Sequence, residues 1–355
     1  MISIVVITWN SAAYLPRCLA SLNHQTFKDF EVILVDNGSN DGCVDNIERN
    51  WPDLNLRLER LPENVGFAAA NNLGACLARG EWLALLNADA FPETDWLENL
   101  ILAAENHPEF SFFASRQIQA NAPEFLDGAG DAYHISGLAW RRYASWPAAQ
   151  FGLEPEEVFS PCAAAALYPR RAFLQVGGFD ENFFSYHEDV DLAFRLRLRG
   201  FRCLYVPDAV VKHIGSATLG AQSDFALYHW QRNFIWSFIQ NMPSALLWEA
   251  LPAHLVANFI YLVNYTLRGR GGCLLKAKKD ALRGLSRALR KRREIQKTRK
   301  VSSVELLSKM ERGWLQPYLL GYHIRKIRQT MPSYPPFHPP ISKFRNGGTE
   351  GGRND

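Results

Sequence analysis

Apolar residues over the first 110 positions switch between a strand period and a helix period. ISIVVIT (2–8) is a continuous apolar, β-branched run, the pattern of a buried first strand. SAAYLPRCLASLNHQ follows with apolar residues at helical spacing and Pro16 near its start. EVILVDNGS (31–39) reads as a second strand with its loop. GFAAANNLGACLARG reads as an Ala-rich helix closed by Gly80. EWLALLNADA is a further strand, and DWLENLILAAENHP a helix stopped by Pro108. Strands alternating with helices of this length predict a parallel sheet with helices on both faces. Such sheets bind ligands beyond the carboxyl ends of their strands. Those ends are Trp9-Asn10, Asp36-Asn37-Gly38 and Asn87-Ala88-Asp89, all polar or flexible.

The pattern loosens over 110–165. FSFFASRQI, LDGAGDAYH and AWRRYASW predict loops and short strands covering a site. CAAAALYPRRAFLQVGGFDENFF reads as a small-residue strand, a short helix and a Gly-Gly stop. DVDLAFRLRLRG reads as a helix with acids at its start and arginines at its end, as the helix dipole favours. RCLYVPDAVVKHIGSAT adds one or two strands, and a first domain is expected to end near Thr218. Residues 219–330 are aromatic, basic and helical in character, and the Pro/Gly-rich tail 331–355 is expected to be disordered. The stretch 244–267 approaches the length of a membrane span. Glu249, Pro252, His254 and two asparagines interrupt it, so an interfacial or re-entrant helix is expected rather than a span.

Composition changes this picture in two places. The six cysteines contain no C-x-x-C pair, so neither a zinc site nor a disulfide framework is expected in this chain of 355 residues, and a reducing cytosol fits. MISIVVITWN has no basic lead-in and no cleavage site, so it reads as a strand and not as a signal peptide. The net charge of +3 hides an asymmetry, because Arg268–Lys300 holds fourteen Lys or Arg and two acids, giving +12 there and −9 elsewhere. Such a block marks either a polyanionic surface as partner or a solvated helix. Directly after an apolar aromatic helix it has the form of a two-signal peripheral anchor, with about 1 kcal/mol per basic residue near an anionic leaflet. The alternative is a helical subdomain with a packed core and a basic outer face.

Five stretches are candidates for chemistry. In VDNGSNDG a carboxylate, Asp36, ends a strand and could accept from a base or ribose, or the stretch could be a plain turn. In ENVGFAAANNLG, Gly66 allows close backbone approach, and Asn71 and Asn72 are poor helix formers, which points either to function or to a polar helix surface. In LLNADAF, Asp89 could hold a hard cation, which takes one or two carboxylates plus substrate phosphates, with Asn87 contributing a carbonyl oxygen or a hydrogen bond. In GGFDENFFSYHEDVDLAFRLRLRGF, Glu188, Asp189 and Asp191 crowd a helix start, where they serve as a general base or as a simple N-cap. In VVKHIGSAT, His213 ends a strand and is structural unless Asp89 binds metal.

In this order and spacing, VVITWN, VDNGSNDG, NVGFAAANNLG, LLNADA, GGFDENFFSYHEDVDLAFRLRLRG and the HIGS loop resemble the family 2 glycosyltransferases, and most of all their rhamnosyltransferase group. The resemblance spans residues 3 to about 216. It implies an α/β GT-A fold with a mainly parallel central sheet. It also implies inverting transfer from a nucleoside-diphosphate sugar, with dTDP-L-rhamnose the favoured donor and galactofuranose, N-acetylglucosamine or glucose donors as alternatives. By the same resemblance Asp36 meets the nucleotide base, and Thr8, Asn10, Asn64, Gly66, Asn71 and Asn87 lie in the donor site. Asp89 would hold a divalent metal (Mg²⁺ or Mn²⁺), with His213 as a further metal or diphosphate contact. Asp189 would be the general base, with Glu188 beside it. Asn87-Ala88-Asp89 stands where many relatives have two acids, a departure that bears on metal affinity more than on activity. Relatives often add membrane-touching helices. The expected acceptor is therefore a lipid-linked oligosaccharide of a cell-surface polysaccharide such as O-antigen. The expected location is peripheral, on the cytoplasmic face of the inner membrane against anionic lipids, with no nucleic-acid partner. A sugar nucleotidyltransferase would need a Gly-rich basic loop that TWNSAAYLPRC lacks. A non-catalytic scaffold fits poorly with Asp36, Asp89, Asp189 and His213 all in place.

Overall fold

The computed structural model describes residues 1–215 and 223–313. The expected boundary at Thr218 and the tail 331–355 lie outside the described residues. The first half alternates as its pattern requires. The order is β1 (Ile2–Thr8), α1 (Leu15–Asn23), β2 (Phe30–Asp36), α2 (Ile47–Asn50), β3 (Leu56–Arg60), α3 (Phe67–Leu77), β4 (Trp82–Asn87), β5 (Ala90–Pro92) and α4 (Trp96–Asn106). Alternate residues of β1 explain its unbroken apolar run. Ile2, Ile4 and Val6 pack with Leu15, Leu19 and Leu22 of α1 and with Trp96 and Leu100 of α4. Val5 packs on the other face with Ala68, Ala70 and Ala75 of α3. Gly74 lets α3 settle onto the sheet, since a Cβ there would lie 2.4 Å from Val5 Cγ1.

Residues 110–165 are more regular than their pattern predicts. β6 (Phe112–Gln119) is an eight-residue strand inside the main sheet, not a cover over it. Its Phe113 and Phe112 go to opposite cores, which hides the polar alternation expected of a surface strand. β7 (Leu126–Ala129), β8 (Asp131–Tyr133), β9 (Ala139–Arg141) and β10 (Glu156–Val158) follow as short strands. β11 (Ala165–Pro169), α5 (Arg170–Gln175), a 3₁₀ turn at Glu181–Phe183, α6 (Glu188–Leu198) and a single long β12 (Cys203–His213) complete this half. The sheet runs β3-β2-β1-β4-β11-β6-β12-β10, with β5 on β12 and β7 on β6. The longest ladders are parallel: β12 on β6, β1 on β2 and β1 on β4. β11 enters antiparallel between β4 and β6.

The second region is helical: α7 (Asp224–Asn241), α8 (Ser244–Leu267), α9 (Gly271–Arg283), α10 (Leu285–Lys297) and α11 (Ser303–Leu307). It shares a core with α6, where Phe194 and Leu198 meet Phe238, Met242, Leu246, Ala250, Ile295 and Leu306. The basic block forms α9 and α10, and part of it turns inward. Lys278 donates to Gln231 and Asn258, Arg287 lies 4.1 Å over the Trp236 ring, and Lys291 pairs with Asp180 at 3.0 Å. The block is therefore both packed and basic outside. α8 is one helix despite Pro252, long and apolar enough by length and composition to cross a membrane. Its inner side holds Leu246, Ala250, His254 and Ala257. On its outer side Trp248 is 69% exposed, Phe259 66% and Leu267 83%.

Candidate active site

The carboxyl ends of β1, β2 and β4 open into a cavity of about 590 Å³, walled on its far side by β8–β9 and the start of α6. Trp9, Asn37, Asn64, Phe67, Asn87 and Asp89 line it from the first half. A web of asparagines sets this wall. Asn37 Oδ1 accepts from Val65 N–H at 2.9 Å, and Asn37 Nδ2 donates to Asn64 Oδ1 at 3.0 Å. Asn64 Oδ1 also accepts from Gly66 N–H at 2.9 Å. Asp36 lies behind this wall and caps its own turn, its Oδ1 accepting from Ser39 N–H at 3.0 Å. Asn10, in the left-handed region at φ +50°, accepts from Asn40 N–H at its side-chain Oδ1 and donates its own backbone N–H to Ser39 Oγ. Thr8 is fully buried, 3.6 Å from Cys43 Sγ.

Two expected donor residues have other surroundings. Gly66 at φ +91° does permit a close approach, and what approaches is Phe184, whose ring would lie 2.6 Å from a Cβ. Asn71 is buried in α3 and donates to Phe67 O one turn back, away from the cavity lining. Its neighbour Asn72 grips the backbone of Phe179 through both ends of its amide, which ties α3 to the loop before α6.

At the end of β4, His213 Nε2 lies 3.4 Å from Asp89 Oδ1, while His213 Nδ1 meets Asp127 Oδ2 at 2.8 Å. β5 and β12 fix this pair by their ladder, in which His213 stands opposite Ala90. Burial alone would lower the His213 pKa, but Asp127 and Asp89 outweigh it and raise it to about 9. Burial likewise opposes ionisation of Asp127, and the Arg141 guanidinium overcomes it and holds the carboxylate well below its usual range. Arg141 ion-pairs with Asp127 and contacts Cys162 Sγ at 2.7 Å. Among the described residues, no group of three or more His, Cys, Asp or Glu side chains is arranged to hold a metal. Asp89 and His213 do fit a shared cation as an oxygen and a nitrogen donor. A carboxylate on the far nitrogen is the arrangement that orients metal-binding histidines.

Across the cavity stand Glu188 and Asp189, on the first turn of α6. Asp189 is not the N-cap. That place belongs to His187, which offers no side-chain cap. Asp189 Oδ1 accepts from Val190 N–H at 2.8 Å and its Oδ2 from Ala163 N–H at 3.3 Å. Burial raises the Asp189 pKa despite these bonds and Arg141. Burial, then the Asp189 charge, pushes Glu188 well above the carboxylate range. Asp131 joins them in the lining, raised to about 7 by burial and by Asp189. Four buried lining residues carry polar atoms without a hydrogen-bond partner: Asp131 Oδ1, Glu188 Oε2, both ring nitrogens of His187, and His213 Nε2, which has only its 3.4 Å ion-pair contact with Asp89. Unpaired buried groups are costly, and in a cavity wall they are free to pair with the polar groups of a ligand.

The cavity thus brings together Asn64, Asn87, Asp89, Glu188, Asp189 and His213, and leaves Thr8, Asn10, Asp36, Gly66 and Asn71 outside its lining. Sequence reasoning assigned no role to Asn37, Asp127, Asp131, Trp140, Arg141 or His187. Asn37 stands at a strand end where a site is expected. LDGAGDAYH and AWRRYASW were legible only as material covering a site.

The sequence profile described as Glycosyl transferase family 2 matches residues 3–177. An N-acetylglucosaminyl-diphospho-decaprenol L-rhamnosyltransferase of Mycobacterium tuberculosis is 31% identical over 259 residues, which cover 64% of this chain and 81% of the relative. A glucosyl-dolichyl phosphate glucuronosyltransferase of Haloferax volcanii is 28% identical over 51% of this chain, which spans only 56% of that relative. Among solved structures, S. aureus TarS 1-349 in complex with UDP-GlcNAc matches with a TM-score of 0.55 at 18% identity, covering 83% of this chain and 88% of that one. GalNAc-T7 with UDP, GalNAc and Mn²⁺ matches with a TM-score of 0.57 at 18% identity, covering 69% of this chain and 48% of that one. These structures bear on the fold, which is the GT-A type expected from the sequence. The profile match and the mycobacterial relative, covered over four fifths of its length, show that the chain belongs to glycosyltransferase family 2.

Proposed function

We propose that the protein is an inverting glycosyltransferase that moves L-rhamnose from dTDP-L-rhamnose to a lipid-linked saccharide in cell-surface polysaccharide biosynthesis. The single observation that carries the reading is one cavity with Asp89 and His213 on one wall and the raised carboxyl pair Glu188–Asp189 on another. The rhamnose preference draws support from the mycobacterial relative, whose name also gives a polyprenyl-diphosphate acceptor. The expected division, 1–218 catalytic and 219–330 membrane-associating, belongs to this proposal.

Asp89 and His213 would hold a divalent metal, which when bound supplies a Lewis acid to the departing diphosphate. Asn37 and Asn64 hold the turn that faces the nucleotide side, and Asp36 closes the turn behind it. Asp189 takes the proton from an acceptor hydroxyl, whose oxygen attacks the anomeric carbon opposite the diphosphate. The carbon–oxygen bond to the diphosphate breaks and configuration inverts. A raised pKa suits this role, because proton transfer is most effective when the base is matched to the working pH. Glu188, pushed well above the carboxylate range by burial and then by the Asp189 charge, would offer a proton to a bound hydroxyl beside it. Arg141 compensates the crowd of carboxylates at Asp127, Asp131 and Asp189. The outer face of α8, flanked by the basic surface of α9 and α10, would rest on an anionic leaflet at the cytoplasmic face and bring a lipid-linked acceptor to the cavity.

The test is a panel of dTDP-, UDP- and GDP-sugars with Mg²⁺ or Mn²⁺, read by mass spectrometry with and without a polyprenyl-diphosphate-linked N-acetylglucosamine acceptor. Rhamnose transfer from the dTDP donor is expected. Transfer from another donor would replace the sugar and keep the class, and consumption of none would overturn the reading.

A further inference from the structure

We infer that Asn233, on α7, is a positioning residue for the carboxylates that begin α6. The turn before α6 is unusual. Phe184, Tyr186 and His187 all have positive φ, at +65°, +69° and +72°. Three bulky residues out of four in the left-handed region form a strained backbone that persists only where its surroundings hold it.

What holds it is largely one side chain. Asn233 Nδ2 donates to Phe183 O at 3.0 Å, to Ser185 O at 3.0 Å and to Tyr186 O at 2.7 Å. The amide has two hydrogens, so one of them is shared between two carbonyls. Asn233 is fully buried, and its Oδ1 is kept in place by Arg232 Nε at 3.0 Å. Arg232 Nη2 adds bonds to Asn182 O and Phe183 O, both at 2.9 Å. The same face of α7 supports the rings of the turn, with Phe184 stacked on His229 and His187 beside Trp230 and Phe234. On the other side the turn is fastened to α3, where Ala68 N–H donates to Phe184 O at 3.1 Å.

An asparagine inside a buried helix face disfavours the helix unless its amide does other work. Here the amide closes three carbonyls that the left-handed turn leaves with no helical partner. Glu188 and Asp189 follow the turn directly, so their placement depends on it. Asn233 does not line the cavity and touches no reacting atom. The helical region thereby becomes part of the catalytic apparatus and not only its support. This inference rests on Asp189 as the base. Donor binding, set by β1, β2 and β4, does not depend on it.

The test compares Asn233→Ala and Asn233→Asp, the second close in shape but without the donor hydrogens, in the full chain. Transfer turnover should fall on the order of 100-fold in both, as for a misplaced reacting group. Binding of dTDP with Mn²⁺ should stay within about twofold of wild type, because that wall is held separately. Amide hydrogen exchange over 184–190 should rise about tenfold or more, with residues 31–37 and 82–87 unchanged. Turnover near wild type, unchanged exchange at 184–190, or joint loss of donor binding and turnover would each overturn the inference. Should Asn233→Ala not fold, Asn233→Ser, which keeps one donor, carries the same expectations at smaller size. If wild type transfers no sugar, the proposed function falls, and the exchange data still decide whether Asn233 holds the turn.

Discussion

The two walls of the cavity are built in opposite ways. The wall formed by β1, β2 and β4 is held by residues near one another in the chain or by the ladders of the sheet itself, as where β12 sets His213 beside Asp89. Asp36 is bound by Ser39, Asn64 by Gly66, and Asn37 reaches Val65 only 28 positions away. The wall that carries Glu188 and Asp189 is held from far along the chain. Asn233 reaches Tyr186 across 47 positions, and Asn241 donates to Asp191 across 50. The first wall is a consequence of the sheet, and the second needs the helical region in place.

This contrast orders the expected effects. Removing divalent cations should abolish transfer. In calorimetry Mn²⁺ should bind weakly to the free protein and more tightly with a nucleoside diphosphate present, since the described residues supply few ligands of their own. Tight binding to the free protein would contradict that sharing. Next in size is Asp127→Asn, which removes the negative charge behind His213 Nδ1 and should weaken Mn²⁺ binding in the ternary complex by about 10- to 100-fold, measured in the same titration. Gly66→Ala strikes a place where the two walls touch. A Cβ there collides with Phe184 at a φ of +91°, so a loss of about 1–3 kcal/mol is expected, read by chemical denaturation. The smallest effect is on the outer helix. Phe259→Ser should reduce co-sedimentation with anionic vesicles by up to about 2 kcal/mol and leave transfer to a water-soluble acceptor unchanged. The pH profile sharpens the second wall. Because burial raises Asp189, the acid limb of turnover should lie above the ordinary carboxylate value of about 4, with activity lost as pH falls through it.

The sequence exposed one wall better than the other for the same reason. Strand ends are visible as apolar runs breaking into Asp, Asn and Gly, so Asn87, Asp89 and His213 could be found one by one. The burial of Phe112–Gln119 on both faces disguised a central strand as irregular chain. Asp127, Asp131 and Arg141 sit on short strands whose neighbours lie far away in sequence, and no local period marks them. Asn71 shows the ambiguity of a polar residue in an Ala-rich helix, which signals function or a bond to its own backbone with equal force; here its amide bonds Phe67 and lies outside the cavity lining. Asn233 was hidden by its setting, an aromatic run that reads as core or membrane.

The central claim is that Asp189 activates the acceptor while the donor is held elsewhere. Its most direct test measures transfer and dTDP–Mn²⁺ binding on one preparation of Asp189→Asn. The account predicts transfer reduced by about 10²- to 10⁴-fold with binding unchanged. Transfer that survives would contradict it and move the base to Glu188. Loss of binding together with transfer would contradict the separation of the two walls.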